Sequence, residues 1–95
     1  MSKRIFITGI GVISAIGKNA SETLSSIRTA SSGVGEIQYL QTVHKGKFPL
    51  CEVKYDNTQL CELANIDPKT RITRTSLLGI IAAQEAWRSA GSPIL

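Results

Sequence analysis

The chain has 95 residues, 42% of them apolar and only 5% aromatic, and carries a formal net charge of +4 from eleven Lys and Arg against seven Asp and Glu. That length allows one small domain or part of one, and a core so poor in aromatics, with no staple, is expected to be marginal. The basic residues are scattered apart from one cluster at 69–74, with no continuous stripe and no interleaved aromatics, which argues against a nucleic-acid partner.

Residues 5–14 (Ile-Phe-Ile-Thr-Gly-Ile-Gly-Val-Ile-Ser) are rich in β-branched side chains and apolar on both parities. This predicts a strand buried on both faces of a layered α/β sheet, with Gly9 and Gly11 where another backbone approaches closely. Thr8 and Gly9 interrupt the run behind Arg4, so it is not a signal peptide. Nor is it a dinucleotide fingerprint. Ser14 stands where that motif needs Gly or Ala, Val12 and Ile13 continue the strand, and the acidic residue about 20 positions on is missing.

Asn19 is the expected N-cap of a first helix, with Glu22 in capping-box spacing, Leu24 and Ile27 on one face, and a small-residue loop at 30–35 as its end. Residues 37–47 have no clear period and predict irregular structure. A short strand is expected at 48–53, with Pro49 setting it at an edge or a beginning. Asn57 is the expected cap of a short helix through Leu60, Leu63 and Ala64, stopped by Asp67-Pro68. The longest helix is expected from about 73 to 90, with Gly91 as its C-terminal cap. Its apolar residues, among them Leu77, Leu78, Ile80, Ile81, Ala86 and Trp87, surround the cylinder. Such a helix wants partners on several sides. One strand and two short helices cannot supply them, so the chain reads as a piece of a larger protein. No stretch approaches the ~20 apolar residues of a membrane span. The expectation is a cytoplasmic protein with no membrane partner.

No catalytic, cofactor or metal constellation is visible. Cys51 and Cys61 are nine residues apart, without the close pairing of a zinc site, and read as reduced, partly buried thiols. His44 sits in a loop of polar composition and reads as a surface residue. Glu52, Asp56 and Glu62 form no pair suited to acid–base work.

The run Arg4-Ile-Phe-Ile-Thr-Gly-Ile-Gly-Val-Ile-Ser-Ala-Ile-Gly17 resembles the opening of the β-ketoacyl synthases, the condensing enzymes of fatty-acid and polyketide assembly. The resemblance continues through Ser32-Gly33-Val34 and the run at 74–86 to Ala90-Gly91, nearly the whole chain. It implies that residues 1–95 are an incomplete N-terminal part of a thiolase-like layered α/β/α/β/α fold, in which the helix from Thr73 lies in a buried layer. It implies a parent that performs a decarboxylating Claisen condensation between an acyl group and malonyl on acyl carrier protein, using no cofactor and acting as a homodimer or heterodimer. The family's Cys and two His match no residue here, so the chain is expected to be inactive alone. The form of the run at 74–79 looks close to the aryl-polyene-type synthases. The resemblance also implies that Lys69, Arg71 and Arg74 lie in the stretch that docks the acidic carrier protein, with Arg71 nearest to the family's basic position. Two other readings stay open: a non-catalytic chain-length-factor-like subunit, and a small binding module that offers the same cluster to an acidic partner. The ending Ser92-Pro93-Ile94-Leu95 reads as an arbitrary cut.

Overall fold

The computed structural model describes residues 3–93; half of the ending read as a cut, Ile94 and Leu95, lies outside them. The regular structure is helical: α1 (Ala20–Arg28), α2 (Asn57–Ala64) and α3 (Arg74–Ser89). Asn19 caps α1 as expected, its side chain accepting from the Glu22 N–H at 2.8 Å. Glu22 reaches one residue further back than a capping box requires, accepting from the Lys18 N–H at 3.0 Å. At the other end the chain turns at Ala30, which is left-handed at φ 55. The Ser31 N–H bonds to the Ser26 carbonyl and the Ala30 N–H to that of Ile27, a closure that usually employs glycine.

The cap of α2 is Asp56, not Asn57. A reciprocal box needs an acceptor three residues before Glu or Gln. Asp56 and Gln59 satisfy that spacing, with bonds of 2.8 and 2.9 Å in the two directions. Asn57 would face Leu60. The helix also stops before Asp67-Pro68, because Asn65 adopts a left-handed φ of 59 and the Ile66 N–H closes on the Cys61 carbonyl. In α3, Thr73 is the cap and Gly91, at φ 86, follows the C-terminus, where the Ser92 N–H reaches the Trp87 carbonyl at 2.9 Å.

The core lies between α2 and α3, where Leu60, Cys61, Ala64, Leu77 and Ile81 are buried together. The Gln84 side-chain amide donates to the Ala64 carbonyl at 2.9 Å, tying the open end of α2 to α3. A second side of α3 receives the N-terminal segment. A Cβ on Gly11 would sit 1.9 Å from the Ala82 carbonyl oxygen, and one on Gly9 2.3 Å from that of Ala86. Two residues of the segment thus step past about one turn of helix, running against the helix direction, which suits an extended chain. The two glycines are the close-approach positions expected of them.

The layered α/β architecture is not formed within the chain. Among the described residues no strand is present, and β pairing is limited to single bridges, Ser14 with Gly17 and Gly35 with Leu50. The expected strand at 5–14 has no ladder partner, and Phe6 remains 74% exposed and Ile7 85%. A strand buried on both faces needs neighbours on both edges and a layer on each side; here it has α3 alone. The strand expected at 48–53 is reduced to the Gly35–Leu50 bridge, beside which Pro49 has no N–H to give. Residues 37–47 are irregular, as expected. The radius of gyration is 15.9 Å, against roughly 12 Å for a compact domain of this length. The chain is open because several apolar faces lack partners.

Candidate functional site

The basic cluster follows α2. Asp67 organises the turn, its carboxylate accepting from the Lys69 N–H at 2.9 Å and its carbonyl from the Thr70 N–H at 2.9 Å. Lys69 and Arg71 project from this turn, exposed, and neither forms an ion pair among the described residues.

Arg74 behaves differently. Its guanidinium donates to the carbonyls of Tyr55 at 2.8 Å and Val53 at 2.9 Å and to Asn57 Oδ1 at 3.0 Å, and it lies 6.0 Å from the centre of the Tyr39 ring. Three of its five N–H donors are therefore committed inside the chain. This also explains a cation in the first turn of α3, where the helix dipole disfavours one: the two carbonyls hold it there. The structure therefore leaves Lys69 and Arg71 exposed on the surface and makes Arg74 a clamp between the 53–57 turn and α3.

Among the described residues no nucleophile or metal centre forms. Cys61 is buried under α3 and Cys51 is exposed, both as free thiols. The His44 ring lies tilted at 59° to that of Phe48, with centroids 5.5 Å apart. Among the described residues no group of three His, Cys, Asp or Glu could hold a metal ion. A shallow cleft of about 320 Å³ is lined by Ser14, Gly17, Ser26, Ser31, Ser32 and Lys54 among others. Its lysine is engaged, the Nζ donating to the Gly33 carbonyl at 3.0 Å.

Two carboxylates do more than sequence reasoning assigned to them. Glu85 accepts from the Val12 N–H at 2.8 Å with one oxygen and from the Ala20 N–H at 2.9 Å with the other, joining the N-terminal segment and the start of α1 to α3. Glu52 is 5% exposed and accepts from the backbone N–H groups of Gln38, Tyr39 and Leu40. Burial pushes its carboxyl upward. The three N–H groups and the nearby Lys54 outweigh this and hold it below the ordinary carboxylate value. The sequence signal for both is solitude: Glu85 is the one acid in α3, and Glu52 the one acid between Glu36 and Asp56.

No helix among the described residues is long and apolar enough to cross a membrane. No solved structure matches the chain. Among curated proteins, it is 33% identical over 91 residues to the 3-oxoacyl-[acyl-carrier-protein] synthase 1 of Escherichia coli K12, covering 94% of this chain and 21% of that protein. It is 36% identical over 67 residues to the synthase of the same name from Buchnera aphidicola, covering 70% of the chain and 16% of the relative. The chain thus spans about a fifth of the length of the relatives it matches, or less. The family model for the N-terminal domain of β-ketoacyl synthase matches residues 2–94. The Thr8-Gly9-Ile10-Gly11 opening, seated by its glycines on α3, lies within that match, and the chain belongs to the β-ketoacyl synthase family.

Proposed function

We propose that the chain is the N-terminal part of a 3-oxoacyl-[acyl-carrier-protein] synthase of fatty-acid-type synthesis. In that reaction malonyl on acyl carrier protein loses CO₂, and the carbanion formed attacks an acyl thioester held on a Cys, releasing the thiolate. The observation that carries this reading is the match to the synthases of that name over 94% of the chain. The Cys and His of the reaction belong to other parts of the protein in this reading, since Cys51, Cys61 and His44 match none of the family's three catalytic positions. Within a thiolase-like layered fold, residues 1–95 would supply the first strand and the buried helix α3. The open faces at Phe6, Ile7 and Ile27 are what such layering would cover. A dimeric cytoplasmic enzyme is part of the same reading, and the aryl-polyene-type placement rests on the run at 74–79 alone.

Lys69 and Arg71 are the proposed contact for the acidic carrier protein, being exposed and free of ion pairs among the described residues. Rim charges of this kind set association rate more than chemistry. In the complete enzyme, Lys69→Glu with Arg71→Glu is expected to raise KM for the carrier-borne substrate several-fold and to flatten its salt dependence, while turnover of a short acyl thioester mimic stays within twofold. Equal loss on both substrates would refute docking. Absence of any β-ketoacyl product from the complete protein would refute the condensing reading itself.

A further inference from the structure

Lys69 and Arg71 sit in the connection at 65–73, between α2 and α3. The direction in which they project depends on what fixes that connection. At its start the Asn65 turn closes the Ile66 N–H on the Cys61 carbonyl. In its middle Asp67 gathers the Lys69 and Thr70 N–H groups, and Ile72 packs against the core between α2 and α3. The first of these holds are local to the connection, and an apolar contact such as that of Ile72 is non-directional. At its end the first side chain of α3 to be buried is Leu77, so the opening turn of the helix is held through Arg74. The guanidinium reaches the carbonyls of Val53 and Tyr55 and the Asn57 side chain at the start of α2, and it lies 6.0 Å from the centre of the Tyr39 ring in the 36–50 loop. One side chain thus ties the end of the connection to separate parts of the body. These bonds are made within the chain and do not depend on what covers its open faces.

We propose that Arg74 is a positioning residue for the carrier-protein contact: its guanidinium fixes the end of the 65–73 connection, and so the direction in which Lys69 and Arg71 project, without itself touching the carrier protein. The inference rests on the reading of Lys69 and Arg71 as that contact. A planar fork that donates to two carbonyls sets orientation as well as distance. A lysine ammonium at the same place would keep the charge, but as a point charge it could not reproduce the fork. Holding the backbone beneath two long basic side chains also reduces the freedom they lose on docking. What Arg74 supplies is therefore geometry, and a change that keeps its charge separates the two.

The test is steady-state kinetics of the complete enzyme carrying Arg74→Lys, on carrier-borne substrate and on a short acyl thioester mimic. KM for the carrier-borne substrate is expected to rise about threefold at unchanged kcat, with its salt dependence retained and the mimic within about twofold. Asn57→Ala removes one partner of the guanidinium and leaves every charge in place; it should move KM the same way by a smaller factor. Added to Lys69→Glu with Arg71→Glu, Arg74→Lys should change nothing further, because it acts through those two residues. A factor that multiplies in full onto that double variant overturns the proposal, since Arg74 would then be a contact in its own right. Equal losses on both substrates in Arg74→Lys and in Asn57→Ala overturn it too, marking the clamp as structural only. A double variant with no selective effect on the carrier-borne substrate overturns the docking reading and this proposal with it. A selective double variant beside unchanged KM in Arg74→Lys and Asn57→Ala overturns this proposal alone.

Discussion

Replacing Glu52 by Gln tests whether one carboxylate roots the 36–50 loop. The carboxylate offers two acceptor oxygens to three N–H groups: Oε1 faces those of Gln38 and Tyr39, and Oε2 those of Tyr39 and Leu40. Gln keeps one acceptor and turns an NH₂ toward the remaining donors, so the Leu40 N–H is left without a partner and the others lose charge assistance. The side chain is covered yet close to the surface of a thin, open chain, which moderates the cost. We expect about 1–2 kcal/mol, read as lost exchange protection at the 38–40 amides. The pH dependence has a definite sign. The folded carboxyl lies below its ordinary value of 4.5, so its stabilisation is present above that value and is lost as pH falls through the lower folded value. The parent chain should therefore lose protection at 38–40 on acidification within that window, and Glu52→Gln should be weak and flat across it. Parent-like protection in Glu52→Gln with the same acid profile would refute the reasoning.

Gly11→Ala puts a methyl 1.9 Å from the Ala82 carbonyl oxygen and should lift the N-terminal segment off α3, costing about 1–3 kcal/mol in urea unfolding followed by Trp87 fluorescence. Arg74→Ala removes three charge-assisted bonds and should lower stability by about 1.5–3 kcal/mol with no carrier protein present; a variant as stable as the parent would return Arg74 to the docking surface. Ala30→Gly relieves a left-handed residue at the end of α1 and should stabilise by up to about 1 kcal/mol in the same unfolding assay.

Local chemistry carried the sequence reading furthest. Asn19, Thr73 and Gly91 could be read as helix boundaries because caps depend on residues within one turn, and the Gly9 and Gly11 reading needed only the absence of a side chain. The Asp56 cap was missed by one residue because Asn57 is an equally good cap by type, and only the Gln59 spacing separates them. The strands failed for a different reason. The β-branched pattern of 5–14 is the pattern of a strand inside a sheet, and among the described residues no strand pairs with it. Within the candidate site, composition found the cluster at 69–74 but could not divide it. The carbonyls that engage Arg74 lie 19 and 21 residues away in sequence, and the amides that engage Glu85 lie 65 and 73 away. No short-range pattern encodes such pairs.

The Glu85 bridge sets an order of events during synthesis. The Val12 amide is made 73 residues before the carboxylate that accepts from it. At translation rates of about 5–20 residues per second, the apolar stretch at 5–13 waits roughly 4–15 s for α3. Throughout that interval its isoleucines, Phe6 and open backbone edge have neither the glycine seat nor the carboxylate, the condition in which nascent chains are held by chaperones or pair wrongly. The α3 residues that end the wait, Ala82, Glu85 and Ala86, fall within two turns of one another, so the segment would be captured in a single late step.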